Sequence, residues 1–151
     1  MVFASSRLHW LVYGLLACLL MMPQAAQAAA PAVALYYGRT IPLEEFRTFD
    51  IVVVEPDHGH DPVRYQASGS TLYAYVSVAE AHPSRAYYAN IPPSWKMARN
   101  GQWNSDVLDQ TPEAWPDFFA TRVVGPLWER GYKGFFLDTL DSYRLAEKFD
   151  E

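Results

Sequence analysis

Three carboxylates stand where short apolar runs give way to polar residues. Glu55 follows Ile51-Val-Val-Val, Glu80 follows the run Thr71 to Val78, and Asp138 follows Gly134-Phe-Phe-Leu. Acids crowded on one rim push one another's proton affinities apart. One then stays protonated while another stays ionised, which is the acid and base or nucleophile pair that cleaves glycosidic bonds. Each acid also has an ordinary alternative. Asp138 can cap a following helix, Glu55 before Pro56 can be a solvated turn residue, and Glu80 can pair with Arg85. Asp141 reads as a helix cap or a supporting partner. Phe135-Phe136-Leu137 keeps the last run apolar up to Asp138, and that favours a working role for Asp138.

Aromatic residues accompany these acids. Tyr36 and Tyr37 are adjacent in a strand-like run, so they point to opposite faces, one to the core and one toward a ligand. Trp95, Trp103 and Trp115 stand in or just beyond a stretch rich in Pro, Tyr and Asn. They are structural residues or platforms for a sugar. Asp57-His58-Gly59-His60-Asp61 has ligand types that suit zinc. It is strictly sequential and includes Asp-Pro, so it reads as a solvated turn. The expectation is no metal and no cofactor; a metal-dependent deacetylase would need His58 and His60 as ligands. No glycine-rich phosphate loop, nucleophile elbow or H-E-x-x-H is present.

The elements that position these residues follow from the pattern. Four runs, Val33–Tyr37, Ile51–Glu55, Thr71–Val78 and Gly134–Asp138, are continuous and not alternating, as strands covered on both faces read. Helical or turn segments separate them. Pro42 to Phe46 opens a helix, and Asp61 to Ala67 makes a short one stopped near Gly69. A longer helix is predicted from Thr111 as N-cap to Arg130, with Gly131 closing it and Pro126 kinking or breaking it. His82 to Gln110 reads as a long excursion, and Leu145 to Glu151 as the start of another helix. The order is βαβαβ(loop)αβ. The fold class is α/β, the N-terminal half of a (β/α)8 barrel with four βα units, and an open four-stranded sheet is its rival. In such arrays, functional side chains sit at the C-terminal strand ends, where all three acids fall.

Composition narrows the partners. The 151 residues carry 12 Lys and Arg against 17 Asp and Glu, a net charge of −5, and half are hydrophobic. This excludes a disordered chain and a basic nucleic-acid binder. Arg7 precedes an apolar run from Leu8 to Met22, then Pro23 and a small-residue stretch with Ala26-Gln27-Ala28. That is the pattern of a secretory signal peptide over 1–28, followed by a domain over 29–151. The apolar run is shorter than a membrane-spanning helix needs. Cleavage would remove Cys18, the sole cysteine, and leave an exported, acidic protein without a thiol, periplasmic or secreted.

Tyr36-Tyr37-Gly38, Phe49-Asp50-Ile51 to Glu55-Pro56, Tyr75-Val76-Ser77-Val78-Ala79-Glu80 and Gly134 to Tyr143 together resemble the endo-α-1,4-polygalactosaminidase family of glycoside hydrolases. The resemblance spans about Val33 to Tyr143. It implies a (β/α)8 barrel that hydrolyses a galactosamine-containing exopolysaccharide of a biofilm matrix, with polymer export machinery as a partner. It implies that Asp138 is a catalytic carboxylate and that Tyr37, Glu55, Tyr75, Ser77, Glu80, Asp141 and Tyr143 line the sugar cleft. It implies a second catalytic glutamate on a later strand, beyond Glu151. The alternative is a carbohydrate-binding or assembly module that cuts nothing.

Overall fold

The computed structural model describes residues 29–40, 43–66 and 69–147. The signal peptide expected over 1–28 lies outside them, as do Pro42, Ala67 and residues 148–151. The first three apolar runs form β1 (Val33–Tyr36), β2 (Ile51–Val54) and β3 (Thr71–Ser77). Their partner β7 (Gly134–Asp138) follows an inserted sheet. The four pair in parallel in the order β1-β2-β3-β7. This order does not reverse. A doubly wound sheet reverses at a switch point and carries helices on both faces. A monotonic order sends right-handed crossovers to one face, as in a barrel.

The register shows the two faces. Tyr36, Val54, Ala74 and Phe135 lie abreast; Leu35, Val53, Tyr73 and Gly134 lie abreast one residue earlier. The first row, with Ala34, Val52, Leu72 and Val76, packs on Tyr65, Val123, Leu127 and Tyr132. Burying each such Val or Leu contributes about 1.5–3 kcal/mol. The second row belongs to the other face, which bears Tyr75, Ser77, Phe136 and Asp138. Leu35 and Phe136 remain exposed there.

The connecting helices are short. α1 is Leu43–Phe46 and α2 is Pro62–Gln66. Asp61 starts α2 by accepting from the Val63 and Arg64 amides at 2.9 and 3.4 Å. The expected helix from Thr111 begins instead at Trp115. Thr111 gives both its amide and its hydroxyl to Asp109, so it closes a turn and caps nothing. The helix comprises α3 (Trp115–Phe118), a π-helical stretch (Phe119–Val124) and α4 (Gly125–Glu129). The wide turn, with the Gly125 amide donating to Ala120, stands immediately before Pro126, which has no amide to give. The chain leaves this helix through left-handed Gly131. The last helix is α5 (Tyr143–Glu147).

The stretch expected as an excursion is an ordered second sheet. β4 (Glu80–Ala81), β5 (Lys96–Asn100) and β6 (Ser105–Leu108) pair antiparallel in the order β4-β6-β5. No apolar run announces β5, because ionic contacts hold it. Asp106 accepts from Tyr88, from Arg99 at 2.6 Å and from Lys96 at 3.3 Å. Trp95 and Trp115 lie beside it in a cluster with Phe118 and Phe119. They are structural.

Two stability predictions follow from this packing. A Cβ at Gly134 would stand 2.2 Å from the Tyr73 ring. Gly134→Ala should therefore cost about 1–3 kcal/mol in urea unfolding, the usual price of overpacking. Burial alone would raise the Asp106 carboxyl, but the hydrogen bonds from Tyr88, Arg99 and Lys96 outweigh it and hold the group below its usual range. Such a group contributes stability above its unfolded pKa, and the contribution vanishes as pH falls through the lower folded value. Asp106→Asn should lower the urea midpoint at neutral pH and flatten its decline between about pH 4 and 2.

Candidate active site

The C-terminal ends of β1, β2, β3 and β7 meet at one cavity of about 500 Å³. Tyr37, Glu55, Tyr75, Ser77, Glu80 and Asp138 all line it, with His82, Arg85, Trp103, Ser105 and Thr139. Parallel strands of one register deliver successive strand ends to the same side, and this convergence follows. Asp141 and Tyr143 do not line this cavity. The chain turns at Thr139, and both residues are exposed beyond that turn.

Each acid of the rim has its own donors. Asp138 accepts the Tyr75 hydroxyl at 2.7 Å. Burial, then the hydrogen bond and charge of Asp138, push the Tyr75 phenol far above its ordinary value, so it keeps its proton and donates. Tyr37 packs edge-on against Tyr75 with ring centres 5.4 Å apart. Its phenol is raised first by burial and then by the charges of Asp138 and Glu55. Among the described residues of this wall, three carboxylates, Glu55, Glu80 and Asp138, face the one cation Arg85, and that excess of acid gives the mouth a negative field. Tyr75 also stacks on Phe136.

Glu55 is tied down. Arg85 grips it through two nitrogens at 2.5 and 2.9 Å and reaches Asp57 at 2.8 Å. Burial would lower the guanidinium, and the bonds and charges of Glu55 and Asp57 overcome this and raise it. The ordinary alternative for Glu80, a pairing with Arg85, gives way to this bidentate clamp on Glu55. Glu80 is buried and accepts from Ser105, from Ser142 at 2.6 Å and from Asn100 at 3.1 and 3.2 Å. It therefore stitches β5 and β6 to the turn after β7.

That turn holds an unusual residue. Thr139 has φ 62°, a left-handed conformation that a β-branched side chain seldom adopts. Its hydroxyl lies 2.8 Å from the Ser77 hydroxyl, and the Ala79 amide donates to it at 3.2 Å. Strain of this kind costs roughly 1–3 kcal/mol and persists where surrounding contacts enforce it. Here the enforced residue adjoins Asp138. Ser77 is thus engaged with Thr139 and with the Glu80 carbonyl.

The His58 and His60 pair is a structural latch. Both rings donate to the Gly38 carbonyl, at 3.2 and 3.0 Å. His60 is buried, which corrects the expectation of a solvated turn, and burial lowers its proton affinity. Among the described residues no cluster of three His, Cys, Asp or Glu side chains is arranged to hold a metal ion.

Sequence reasoning missed the roles of Arg85, Asn100, Ser105 and Thr139. Arg85 alone leaves a signal, as a cation five residues past Glu80, and that spacing offers Glu80 as a partner while the fold supplies Glu55. The other three act through contacts between strands.

Solved structures resemble this fold. The glycoside hydrolase domain of PelA from Pseudomonas aeruginosa is 38% identical with a TM-score of 0.64, over 77% of this chain and 47% of that one. Ega3 from Aspergillus fumigatus, solved in complex with galactosamine, gives a TM-score of 0.61 over 82% of this chain and 50% of that one. At 14% identity this second likeness concerns the fold alone. The chain spans about half the length of each, so its four parallel strands correspond to half of a barrel. No curated protein matches. The model of glycoside-hydrolase family GH114 matches residues 21–150, and the chain belongs to that family.

Proposed function

We propose that this protein is an exported glycoside hydrolase that cuts a galactosamine-containing polysaccharide, with Asp138 as a catalytic carboxylate. The observation that carries this reading is Asp138 at the end of β7, in a cavity walled by Tyr37, Tyr75 and Trp103. A sugar chain needs such a trough of hydroxyls and rings, and a cationic amino sugar is drawn to its negative field. The galactosamine in the Ega3 structure supports the choice of sugar by analogy. Exopolysaccharide export machinery is the proposed partner, and a leader over 1–28 would carry the protein out of the cytoplasm.

Roles follow from the donors. Asp138 takes a hydrogen bond from a neutral phenol, which orients one oxygen and leaves the other for chemistry. Glu55 is consumed by Arg85, and Glu80 by two serines and Asn100, so both shape the wall and neither is the second carboxylate. A glutamate from a later strand of the barrel would complete the pair. Its separation from Asp138 would decide the outcome, about 5–5.5 Å giving retention and a wider gap inversion.

The test is release of reducing ends from α-1,4-linked galactosamine polymer by the full-length protein. Asp138→Asn should reduce the rate by about 10²–10⁴-fold or more with an unchanged melting curve. Wild-type turnover in that variant would refute the role of Asp138. Tyr75→Phe should cost about 10- to 100-fold, the loss of one hydrogen bond to a charged group, chiefly in kcat. Unchanged kinetics would remove Tyr75 from the orientation of Asp138.

A further inference from the structure

Trp103 differs from the tryptophans packed beside the second sheet. Trp95 and Trp115 pack on each other with ring centres 5.9 Å apart, and Trp115 is buried. Trp103 is 67% exposed in the turn between β5 and β6, and it lines the cavity that holds Asp138. An indole left in water at a cavity mouth is a large apolar face available to a ligand.

The turn that presents it is held on both sides. The Gln102 amide donates to Asn100 at 3.1 Å, and Asn100 in turn donates to buried Glu80. Asn104 has φ 52°, a left-handed conformation that asparagine tolerates, and its side-chain oxygen accepts from Arg99. Arg99 is anchored on Asp106 at 2.6 Å. The Asn104 amide nitrogen also lies 3.5 Å from His82, another residue of the cavity wall. Residues 102 and 104 are therefore fixed while the ring between them stays open to solvent. A held aromatic loses little conformational entropy when a ligand stacks on it.

The chemistry of the sugar gives this ring a selective task. In galactosamine the axial 4-hydroxyl points to one face and leaves the C3, C4 and C5 hydrogens as a continuous apolar patch on the other. In glucosamine the equatorial 4-hydroxyl interrupts that patch. A flat indole gains more from the first surface than from the second.

We propose that Trp103 is a specificity-determining platform that favours galacto- over gluco-configured amino sugars in this cavity. The inference rests on the glycan reading above, which names the sugar, and adds the residue that selects it. Methyl α-galactosaminide and methyl α-glucosaminide differ only at C4, so they isolate this contribution. Titration of each into the intact protein, followed by NMR of the indole N–H signals, reads both affinity and contact.

The wild type should bind the galactoside more tightly, with the Trp103 signal shifting. Trp103→Leu should reduce the preference by about three- to tenfold, the worth of one ring contact, and Trp103→Phe should keep part of it. The exposed position predicts an unchanged melting curve for both variants. An unaltered preference in Trp103→Leu, or a Trp103 signal that does not move while the galactoside binds, would overturn the platform and leave the glycan reading standing. Failure of the wild type to bind either glycoside or a galactosamine oligomer would instead sink the glycan reading and the platform with it.

Discussion

A carboxylate withdrawn from water must find donors within the protein, and this requirement organises the molecule around its rim. Three acids meet it, and Asp138, exposed at the mouth, takes a single donor. Asp138 receives a phenol, Glu55 a guanidinium, Glu80 two serines and an asparagine, and Asp106 a phenol with two cations. An unsatisfied buried charge would cost several kcal/mol, so the donors of buried Glu80 and Asp106 are a condition of folding, whereas exposed Asp138 remains open to solvent and ligand. The same partition separates the acids by task. A bidentate arginine leaves little of Glu55 for a substrate, whereas a single phenol leaves one oxygen of Asp138 open.

The second sheet is what the half barrel adds to a bare set of strand ends. It begins directly after β3, and its two acids fasten it in place. Asp106 locks β5 to β6, while Glu80 ties both strands to Ser142 in the turn after β7. Through Ser77 and Thr139 the same region reaches the residue next to Asp138. The wall carrying Trp103 and the turn carrying Asp138 thus share one polar network. Disturbance of either should be felt by the other, because buried hydrogen-bond networks couple their members.

The opposite end of the rim uses a different device. The chain after β1 is held by two imidazoles on one carbonyl, that of Gly38, next to Tyr37. Tyr132, fully buried, donates to the His60 carbonyl at 3.3 Å, and Arg130 donates to the Pro56 carbonyl at 2.6 Å. The end of the long helix therefore braces the turns after β2. Loops that carry functional residues are commonly steadied from the scaffold in this way.

Four parallel strands were legible in the chain itself, because β-branched and aromatic runs such as Ile51–Val54 and Gly134–Asp138 favour strand; the first is buried as its pattern predicts, whereas the second, on the edge of the sheet, leaves Phe136 and Leu137 exposed. The placing of Glu55, Glu80 and Asp138 at strand ends was legible for the same reason, and so was the family, from motifs carried in order. The winding was decided only in three dimensions, since an apolar run does not say which neighbour it pairs with. The second sheet was equally hidden: β5 is held by Lys96 and Arg99 on Asp106, and such contacts leave no periodic trace. Likewise, a sequence shows which acids and donors exist, but Arg85 stands five residues from Glu80 and thirty from Glu55, and it is the folded path that joins it to the distant one. Composition and local pattern act through near neighbours, whereas partner choice among charges is a matter of distance in space.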